Sequence, residues 1–411
     1  MESEITNPYW RKNLAIMWLV QTVTVLSFTF TFPFFPLFFK ELGIDDPGRA
    51  AFITGISGWA LGIGLGIFSP IWGAVADRYG KKINVIRATA LAALVLGLSG
   101  FAESPNQLIV TRFFAGAFGG AGAAILALVV ATTPRYRAAF ATGIIQSAMF
   151  AGSTIGPVIG GLLFDHYGMR WAFFANGIGL AIPALMVILF VHEDFQKPRN
   201  KIKKTELFFK PYFDFASTLT SSRMAPLLFM YFISHAAMLV IFPALPVIIE
   251  SVYVGSNLAS ASGIAFMTMG VTQALSAILA GLVSTRFGLK KTIIVLSGIS
   301  SLLYIPPIFA DEFIHMILFL AAIGLFQGGV MGTLNGLFAM SATPGEEGRT
   351  FGAQQVVMAA SLSAGPLIGG AVAFAVSLRA VFAVNVIFYI MVVLSAAFLM
   401  RSTYTEQKIA S

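Results

Sequence analysis

Long apolar stretches alternate with short polar connections along the whole chain. Each stretch holds about 20 residues or more, which as a helix is long enough to cross a hydrocarbon core of about 30 Å. The pattern therefore predicts an all-α membrane protein with twelve transmembrane helices. The predicted helices lie near residues 13–39, 53–76, 83–101, 106–130, 139–164, 171–191, 224–249, 258–282, 292–310, 313–340, 349–375 and 379–400.

Composition agrees with this pattern. Of the 411 residues, 57% are hydrophobic and only 11% are charged, and the mean hydropathy is +0.84. A soluble protein carries roughly 25% charged residues, because its surface must meet water. The first apolar run follows "WRKNL" without a small-residue cleavage site, so we interpret it as a retained span and not as a signal peptide.

Basic residues are distributed unevenly among the connections. Twenty of the 26 Lys and Arg lie at the two termini and in the even-numbered loops, and four lie in the odd-numbered loops. Cytoplasmic loops carry such an excess. We therefore expect both termini in the cytoplasm and the chain in a bacterial cytoplasmic membrane. Because the net charge of +8 lies in these loops, we do not expect nucleic acid as a partner.

The sequence lacks the patterns of common enzymes and metal sites. It has no Cys, and its four His show no metal-ligand spacing. We find no phosphate-binding Gly loop, nucleophile elbow or paired-carboxylate site. We therefore predict no enzymatic activity, no metal and no cofactor. The expected partners are a small-molecule substrate and the lipid bilayer, the expected oligomeric state is a monomer, and the expected energy source is the proton gradient.

A long polar and basic loop divides the chain. We expect an N-terminal six-helix half at 1–191, a basic cytoplasmic linker at 192–223, a C-terminal six-helix half at 224–401 and a cytoplasmic tail at 402–411. Within the linker, "FFKPYFDF" is either an amphipathic segment on the inner leaflet or part of a positively charged tether.

The two halves repeat each other. "FPFFP" at 32–36 recurs as "FPALP" at 242–246, and "GPVIGG" at 156–161 recurs as "GPLIGG" at 365–370. "RWAFFAN" at 170–176 recurs as "RAVFAVN" at 379–385, and the charged loop "GAVADRYGKK" at 73–82 recurs as "GLVSTRFGLKK" at 281–291. The offsets of 208 to 210 residues indicate a duplicated six-helix unit. Parallel halves characterise a large transporter class whose substrate site lies near the membrane midplane.

Three motifs narrow this class. A loop motif Gly-x-x-x-Asp-Arg-x-Gly-(Arg/Lys)-(Arg/Lys) comprises Gly73, Asp77, Arg78, Gly80, Lys81 and Lys82. A helix-four motif comprises Arg112 and Gly116, and a helix-five motif Gly-x-x-x-Gly-Pro-x-x-Gly-Gly comprises Gly152, Gly156, Pro157, Gly160 and Gly161. With these motifs the whole chain resembles the major facilitator superfamily and, within it, the twelve-span drug/proton antiporters. The opening Trp-x-Lys-Asn-Leu and the Pro-x-x-Pro at 33–36 resemble the MdtG-type multidrug resistance group.

The resemblance implies a gating role for the loop motif. We expect Asp77 to pair with a cation or to cap a helix, and so to hold the cytoplasmic ends of the halves together in the outward-facing state. Gly73 is expected to permit close helix approach. For Lys81 and Lys82 we expect only an effect on topology. Because Thr285 replaces Asp77 in the second copy, the lock is expected to be asymmetric.

The other two motifs lie within spans. The small residues of helix five predict close packing, which we expect at the interface of the halves, and Pro157 predicts a kink. A cation inside a span needs a partner or water, so we expect a functional role for Arg112, with snorkelling to the interface as the alternative. Arg87, near the cytoplasmic surface, is expected to snorkel.

None of the 18 acidic residues lies in the middle of a predicted span. Exporters of cationic drugs commonly use a buried carboxylate, so its absence argues against strongly cationic substrates. A cavity lined by Phe and amides suits amphiphilic, weakly charged compounds. The candidates for the cavity and for coupling are Gln21, Phe28, Phe34, Gln146, His235, Gln273, Gln327 and Asn335.

We therefore predict an alternating-access exporter of lipophilic or amphiphilic molecules, that is, a multidrug efflux protein coupled to proton influx. The alternatives are a facilitator, an exporter of an endogenous metabolite or lipid, and a non-transporting receptor. His235 is the leading proton carrier, because an imidazole has an unperturbed pKa of about 6.5. The alternative for His235 is a packing role, in which case Asp77, Asp165 or Glu250 carries the proton or transport is not coupled to protons.

Overall fold

The computed structural model describes residues 9–134, 137–195, 224–341 and 347–399. These residues form α-helices with short 3₁₀ segments and contain no β-strand. Most of the predicted linker and the tail at 402–411 lie outside the described residues. The α-helices are Trp10–Thr29, Phe35–Glu41, Pro47–Tyr79, Lys81–Leu98, Pro105–Phe118, Ala121–Thr132, Ala138–Tyr167, Met169–Phe190, Ala225–Val240, Leu245–Val252, Leu258–Phe287, Leu289–Leu303, Phe313–Ser341, Glu347–Ala375 and Ala380–Leu399.

Within the described residues these helices form twelve membrane spans, because spans 1, 4 and 7 each consist of two consecutive helices. The twelve-helix prediction is confirmed in number and order. The ends differ by a few residues, most of all in span 2, which begins at Pro47 and not near residue 53.

Spans 1 and 7 are interrupted at repeat-equivalent positions by proline. Pro33 lies in the 3₁₀ segment Phe32–Phe34, and Pro243 lies between Ala225–Val240 and Leu245–Val252. Proline lacks an N–H and clashes with the preceding turn, so the first helix of each span ends before it. Span 4 is interrupted differently. Gly119 and Gly120 separate its two helices without a proline, and Gly120 has a φ of +83°.

Single-residue turns join span 2 to span 3 and span 8 to span 9. Gly80 and Gly288 occupy these turns with φ values of +107° and +84°. Residues with a side chain rarely adopt such angles, whereas glycine adopts them readily. Each charged loop is therefore compressed into a tight turn, and its lysines lie in the first turn of the following helix.

The chain divides into two compact units, which differ from the halves predicted by the repeat. The first unit is Met1–Phe34 with Ile63–Pro211, and the second is Phe35–Gly62 with Tyr212–Ser411. Span 1 packs on span 5 and span 3 on span 6 in the first unit, and span 7 packs on span 11 and span 9 on span 12 in the second. These pairs are repeat-equivalent, so the duplication extends to packing. The domain boundaries drawn from the repeat stay a prediction.

Apolar side chains fill the interior of each unit and also cover its outside. Met17, Val20 and Leu128 belong to the core of the first unit, and Met230, Ile293 and Phe338 belong to that of the second. Many large apolar side chains on the outer helix faces are exposed as well, among them Ile178 and Leu282. Helices that are apolar all round are expected where lipid, not water, surrounds them.

Candidate functional site

The loop motif between spans 2 and 3 is anchored by an acid that sequence reasoning missed. The carboxylate of Glu193, just after span 6, accepts hydrogen bonds from the backbone N–H groups of Lys81 (2.9 Å) and Lys82 (2.8 Å). The first N–H groups of a helix have no partner within the helix, and a negative charge there is favourable. Glu193 therefore caps span 3 and connects it to the end of span 6. Only its position directly after an apolar run could have drawn attention to it.

Asp77 does not cap a helix in this structure. Its side chain is 77% exposed, and its carboxylate lies 3.9 Å from the Lys81 ammonium, one turn further along. A methyl group added to Gly73 would meet no described atom within 4 Å, so the expected close helix approach at this glycine is wrong for this conformation. Arg78 lies over its neighbour Tyr79, 5.6 Å from the ring centre. The motif's acid is thus available for a different partner in another state.

One lysine at an equivalent position in each loop copy has a structural role beyond topology. Lys82 donates to the carbonyl of Ile188 at 3.2 Å, and Lys290 donates to the carbonyl of Ala397 at 3.0 Å. Both carbonyls lie in the last turn of a span, where carbonyl groups lack partners and a cation is favourable. The two contacts are repeat-equivalent. The expectation that Lys82 affects only topology was therefore incomplete.

Arg112 is buried inside span 4. Its side chain is 2% exposed, and its guanidinium lies 5.0 Å from the ring centre of Phe32. A cation over an aromatic face is attracted by the ring quadrupole, and the attraction strengthens when water is excluded. Gly116, one turn further along, is also buried. Arg112 therefore lies in the interior of the first unit and does not reach an interface by snorkelling.

Arg87 does not snorkel either, which corrects the sequence-based expectation. Its guanidinium donates to the carbonyls of Phe118 (2.7 Å) and Gly119 (3.4 Å), at the interruption of span 4. It also donates to Asn84 and lies 3.7 Å from the ring centre of Trp72. The charge points into the bundle because the interrupted helix presents unpaired carbonyls there. No sequence motif marked this contact.

The glycines of the helix-five motif pack span 5 against span 1. A methyl group at Gly152 would lie 2.7 Å from the carbonyl oxygen of Thr22, and methyl groups at Gly156 and Gly160 would overlap Thr29 and Phe30. Gly161 is buried, and Pro157 lies within the uninterrupted helix Ala138–Tyr167. The expected packing is present, but it lies within the first unit. The expectation that this face lies at the interface of the halves was wrong, because span 1 already covers it.

The second unit brings parts of both repeats together. The Lys40 ammonium lies 2.6 Å from the Glu250 carboxylate, and these residues occupy equivalent positions in the two repeats. Span 2 also packs closely on span 11, because a methyl group at Gly55 would lie 2.5 Å from the carbonyl oxygen of Pro366. A methyl group at Gly62 would overlap Ser363. We call the close approach of Gly55 and Gly62 to span 11 the span 2–span 11 contact, and we call the ion pair the Lys40–Glu250 pair.

Two predicted polar residues of the second unit, His235 and Asn335, are connected to Tyr231, the second of them through Gln354. His235 stacks on the Tyr231 ring, with centroids 6.0 Å apart, and its Nδ1 is buried without a hydrogen-bond partner among the described residues. Gln354 lies beside the Tyr231 phenol and donates to Asn335 at 2.7 Å. Tyr231 itself, which joins these groups, was not predicted, because a Tyr in an apolar span carries no distinguishing pattern.

A second polar cluster lies in the same unit. Gln273 donates to Gln327 at 2.9 Å, and Gln327 lies beside the phenols of Tyr304 and Tyr389, whose rings stack 5.7 Å apart. All four side chains are buried. The structure therefore joins Gln273 and Gln327, which were predicted separately, into one amide–phenol cluster.

The remaining candidates lie in the first unit and do not form one group. Gln21 is buried on span 1, Phe28 is partly buried, and Gln146 is exposed on span 5. Phe34 is fully buried, 6.2 Å from the ring of Phe164.

The Major Facilitator Superfamily family model matches residues 17–253 and 227–410, which together cover nearly the whole chain. The chain belongs to the Major Facilitator Superfamily. It is 31% identical over 378 residues to the multidrug resistance protein MdtG of Salmonella dublin, a match that covers 92% of each chain. The MdtG protein of Salmonella arizonae is similar to the same extent.

Solved structures of transporters share the fold. The human organic anion transporter MFSD10 (TETRAN) superposes with a TM-score of 0.70 at 16% identity, covering 95% of this chain and 100% of that one. A POT family transporter in complex with 5-aminolevulinic acid superposes with a TM-score of 0.76 at 14% identity, covering 97% of each chain. At these identities the likeness establishes the fold alone.

One feature of this superfamily member bears directly on its chemistry. Among the described residues, no Asp or Glu lies in the middle of a span, and no group of His, Asp and Glu could hold a metal ion. The span interiors of the first unit hold Arg87 and Arg112, and those of the second hold amides, phenols and His235. The chain therefore offers positive and neutral polar groups to a bound molecule.

Proposed function

We propose that this transporter exports lipophilic or amphiphilic small molecules by alternating access, driven by proton influx through a bacterial cytoplasmic membrane. The Salmonella relatives are multidrug resistance proteins, which supports export of varied compounds. The carboxylate-free span interiors support substrates that are not strongly cationic, because a buried cation requires an opposite charge. We further propose that the chain acts as a monomer with both termini in the cytoplasm.

The observation that carries alternating access is the Lys40–Glu250 pair together with the span 2–span 11 contact. Both join one repeat to the other, and the Lys40–Glu250 pair joins equivalent positions. The close glycine contacts leave no room for a solute between spans 2 and 11 along this stretch. A transporter that opens on this side must break these contacts. At the opposite end of span 2, Asp77 is exposed and available for the contact that replaces them.

The Lys40–Glu250 pair is suited to a contact that breaks in every cycle. Both side chains are partly exposed, at 25% and 40%. Such pairs contribute about 0.2–1 kcal/mol, because water and salt screen them. The pair can therefore orient the two ends without holding them permanently.

For coupling, His235 is our leading proton carrier. Its Nδ1 has no hydrogen-bond partner among the described residues, so a proton can be taken up without breaking an existing bond there. Asp77, Asp165 and Glu250 are the alternatives.

Cross-linking tests the alternating-access part of the proposal. Because the chain has no Cys, Lys40→Cys with Glu250→Cys supplies the only two thiols. We expect a short bifunctional maleimide to join them and to stop efflux in proteoliposomes. Each single variant treated alike is the control. Full efflux from completely cross-linked protein would contradict alternating access at this contact.

A proton ionophore tests the coupling. We expect it to abolish efflux of an amphiphilic dye from wild-type proteoliposomes that carry an imposed pH gradient. Undiminished efflux with the ionophore would argue for a facilitator.

A further inference from the structure

The interruption of span 4 deprives three backbone carbonyls of their helical partners. In a continuous helix, the carbonyls of Ala117, Phe118 and Gly119 would accept hydrogen bonds from the N–H groups four residues further along. In the structure, the first bond of this kind after the interruption runs from the N–H of Ala124 to the carbonyl of Gly120, at 3.1 Å. The interruption therefore costs span 4 three helical hydrogen bonds.

Two side chains from neighbouring spans occupy these three carbonyls. The indole N–H of Trp72, on span 2, donates to the carbonyl of Ala117 at 2.7 Å. The Arg87 guanidinium, on span 3, donates to the carbonyls of Phe118 at 2.7 Å and Gly119 at 3.4 Å. The guanidinium carbon also lies 3.7 Å from the Trp72 ring centre, so each side chain holds the other in place. Side-chain donors thus replace the three backbone donors one for one.

The second repeat shows that paired glycines do not by themselves interrupt a span. The glycine pair of the interruption, at positions 119 and 120, recurs 209 residues later at positions 328 and 329. Span 10 nevertheless runs through this pair as one continuous helix, Phe313–Ser341. The glycines therefore permit an interruption but do not require one.

The second repeat also lacks both donors. The residue 208 positions after Trp72 is Ala280, and the residue 208 positions after Arg87 is Val295. Neither of these side chains can donate a hydrogen bond. A methyl group on Gly329 would lie 3.2 Å from the Cβ of Ala280, so spans 8 and 10 pack too closely there for an indole. The interruption and the two donors thus occur together in one repeat, and both are missing from the other.

We propose that Trp72 and Arg87 are positioning residues of the transport cycle, which hold span 4 in its interrupted form in the state that this structure represents. When the two side chains withdraw, the N–H groups of residues 121–123 bond to the three carbonyls, and span 4 becomes a continuous helix like span 10. Gly120 permits both forms, because glycine adopts its φ of +83° as readily as a helical φ. The inference rests on the alternating-access proposal, to which it adds a two-state element.

A continuous span 4 would change the position of one half of the span relative to the other. Pro105–Phe118 carries the buried Arg112, whereas Ala121–Thr132 packs Ile125 and Leu128 into the core of the first unit against spans 1 and 3. A different angle between the halves therefore moves Arg112 relative to spans 1 and 3. In this way a rearrangement at the interruption can reach the rest of the unit.

Pulsed EPR distances between two spin labels measure the form of span 4 in nanodiscs. Because the chain has no Cys, Val110→Cys with Ala131→Cys supplies the only two thiols, at exposed positions on either side of the interruption. Phe319→Cys with Met340→Cys is the reference pair, since it lies 209 residues later on the continuous span 10. A continuous helix separates the members of either pair by about 32 Å along its axis. We expect the two pairs to give different distances in the otherwise unchanged chain.

Two variants should favour the continuous form for different reasons. Arg87→Leu removes two of the three side-chain hydrogen bonds, and Gly120→Ala disfavours the positive φ of the interruption. We expect each to raise the population at the reference distance about tenfold. Trp72→Phe, which keeps the ring but not its N–H, should act in the same direction and less strongly. Gly143→Ala is the control, because its methyl group would meet nothing within 4 Å, and it should leave the distances unchanged.

A third variant separates a role in the cycle from a purely structural one. Gly55→Ala disturbs the span 2–span 11 contact, since its methyl group would lie 2.5 Å from the carbonyl oxygen of Pro366. If the interrupted form belongs to the state that contains this contact, Gly55→Ala should raise the population of continuous span 4. Gly66→Ala, whose methyl group would meet nothing within 4 Å, should not.

The outcomes distinguish this inference from the proposed function. Unchanged distances in both Arg87→Leu and Gly120→Ala overturn the two forms of span 4, whether or not an amphiphilic dye is exported. A shift in these variants without a response to Gly55→Ala overturns the role in the transport cycle. A shift in all three supports the inference even if the dye is not exported, in which case the export proposal fails instead.

Discussion

Adding one methyl group to span 2 should shift the balance between conformations. In Gly55→Ala the new carbon would lie 2.5 Å from the carbonyl oxygen of Pro366 and 3.2 Å from the Cα of Leu367. A relaxed carbon–oxygen contact needs about 3.3 Å, so the backbones of spans 2 and 11 must move apart by about 0.8 Å. Overpacking of this kind costs about 1–3 kcal/mol. The state containing the span 2–span 11 contact should therefore lose about tenfold or more in population relative to a state without it.

A single reporter thiol measures this shift. Ala373 is 4% exposed and lies against Gly48 within the same contact, so Ala373→Cys should react slowly with a maleimide. Combined with Gly55→Ala in nanodiscs, its labelling rate should rise about tenfold. Gly66→Ala is the matched control, because it lies on the same helix and its methyl group would meet nothing within 4 Å. A thiol at Val376, which is already 74% exposed, should label at the same rate in every background.

Two results would refute the reasoning about Gly55. The first is equal reporter labelling in Gly55→Ala and Gly66→Ala, which would mean that the contact is not part of a conformational change. The second is a rate that rises in Gly55→Ala only together with aggregation on size-exclusion chromatography, which would indicate unfolding.

Three further predictions concern gating, topology and coupling. Asp77→Asn should strongly reduce efflux at equal protein level, since it removes a gate contact and not a core residue, and Thr285→Asp should not restore it; wild-type efflux from Asp77→Asn would exclude the gating role. Single cysteines at positions 45, 200 and 311 in intact cells should react with an impermeant reagent at 45 and 311 only, and labelling at 200 alone would reverse the topology. His235→Gln should flatten the dependence of efflux on external pH, and Arg112→Ala should abolish efflux. A wild-type pH profile in His235→Gln would favour Asp77, Asp165 or Glu250 as the proton carrier.

Much of the fold could be predicted, because lipid imposes a strong pattern. A span must be long and apolar, so the twelve helices follow from hydropathy alone. The interruptions at Pro33 and Pro243 follow from the chemistry of proline. The packing glycines of span 5 follow from their four-residue spacing, since close helix approach needs small residues on one face. The spacing could not predict which helix packs on these glycines, because any neighbouring helix satisfies the same pattern.

The candidate site was less predictable, because its polar contacts join residues far apart in the chain. Glu193 and Lys81 are 112 residues apart, and Arg87 and Phe118 are 31 apart. In each case the side chain completes the hydrogen bonds of a helix end, and sequence does not reveal which end lies within reach. Arg87 was misjudged for this reason. The position of Arg87 near the start of span 3 favoured a contact with the membrane surface. The interruption of span 4, which no proline marks in the sequence, supplied a closer and less hydrated partner.

The duplication itself helps to separate structural from functional positions. Contacts that both repeats preserve, such as Gly160 on Phe30 and Gly369 on Val240, are required by the common packing of the six-helix unit. Where the repeats differ, packing did not dictate the residue. At equivalent positions of the two repeats, Asp77 corresponds to Thr285, Arg87 to Val295 and Lys40 to Glu250.

Each of these differences changes the local charge. Lys40 and Asp77 lie in the last turn of a helix, and the guanidinium of Arg87 contacts the interruption of span 4. Charge at such positions biases one arrangement of helices over another, because helix ends carry unpaired groups whose partners can be exchanged. Because the repeats are parallel, equivalent positions lie at the same end of the molecule, and identical charges there would repel each other. Opposite charges such as those of Lys40 and Glu250 attract instead and help to close that end, so these unequal positions are where mutations should alter transport without altering the fold.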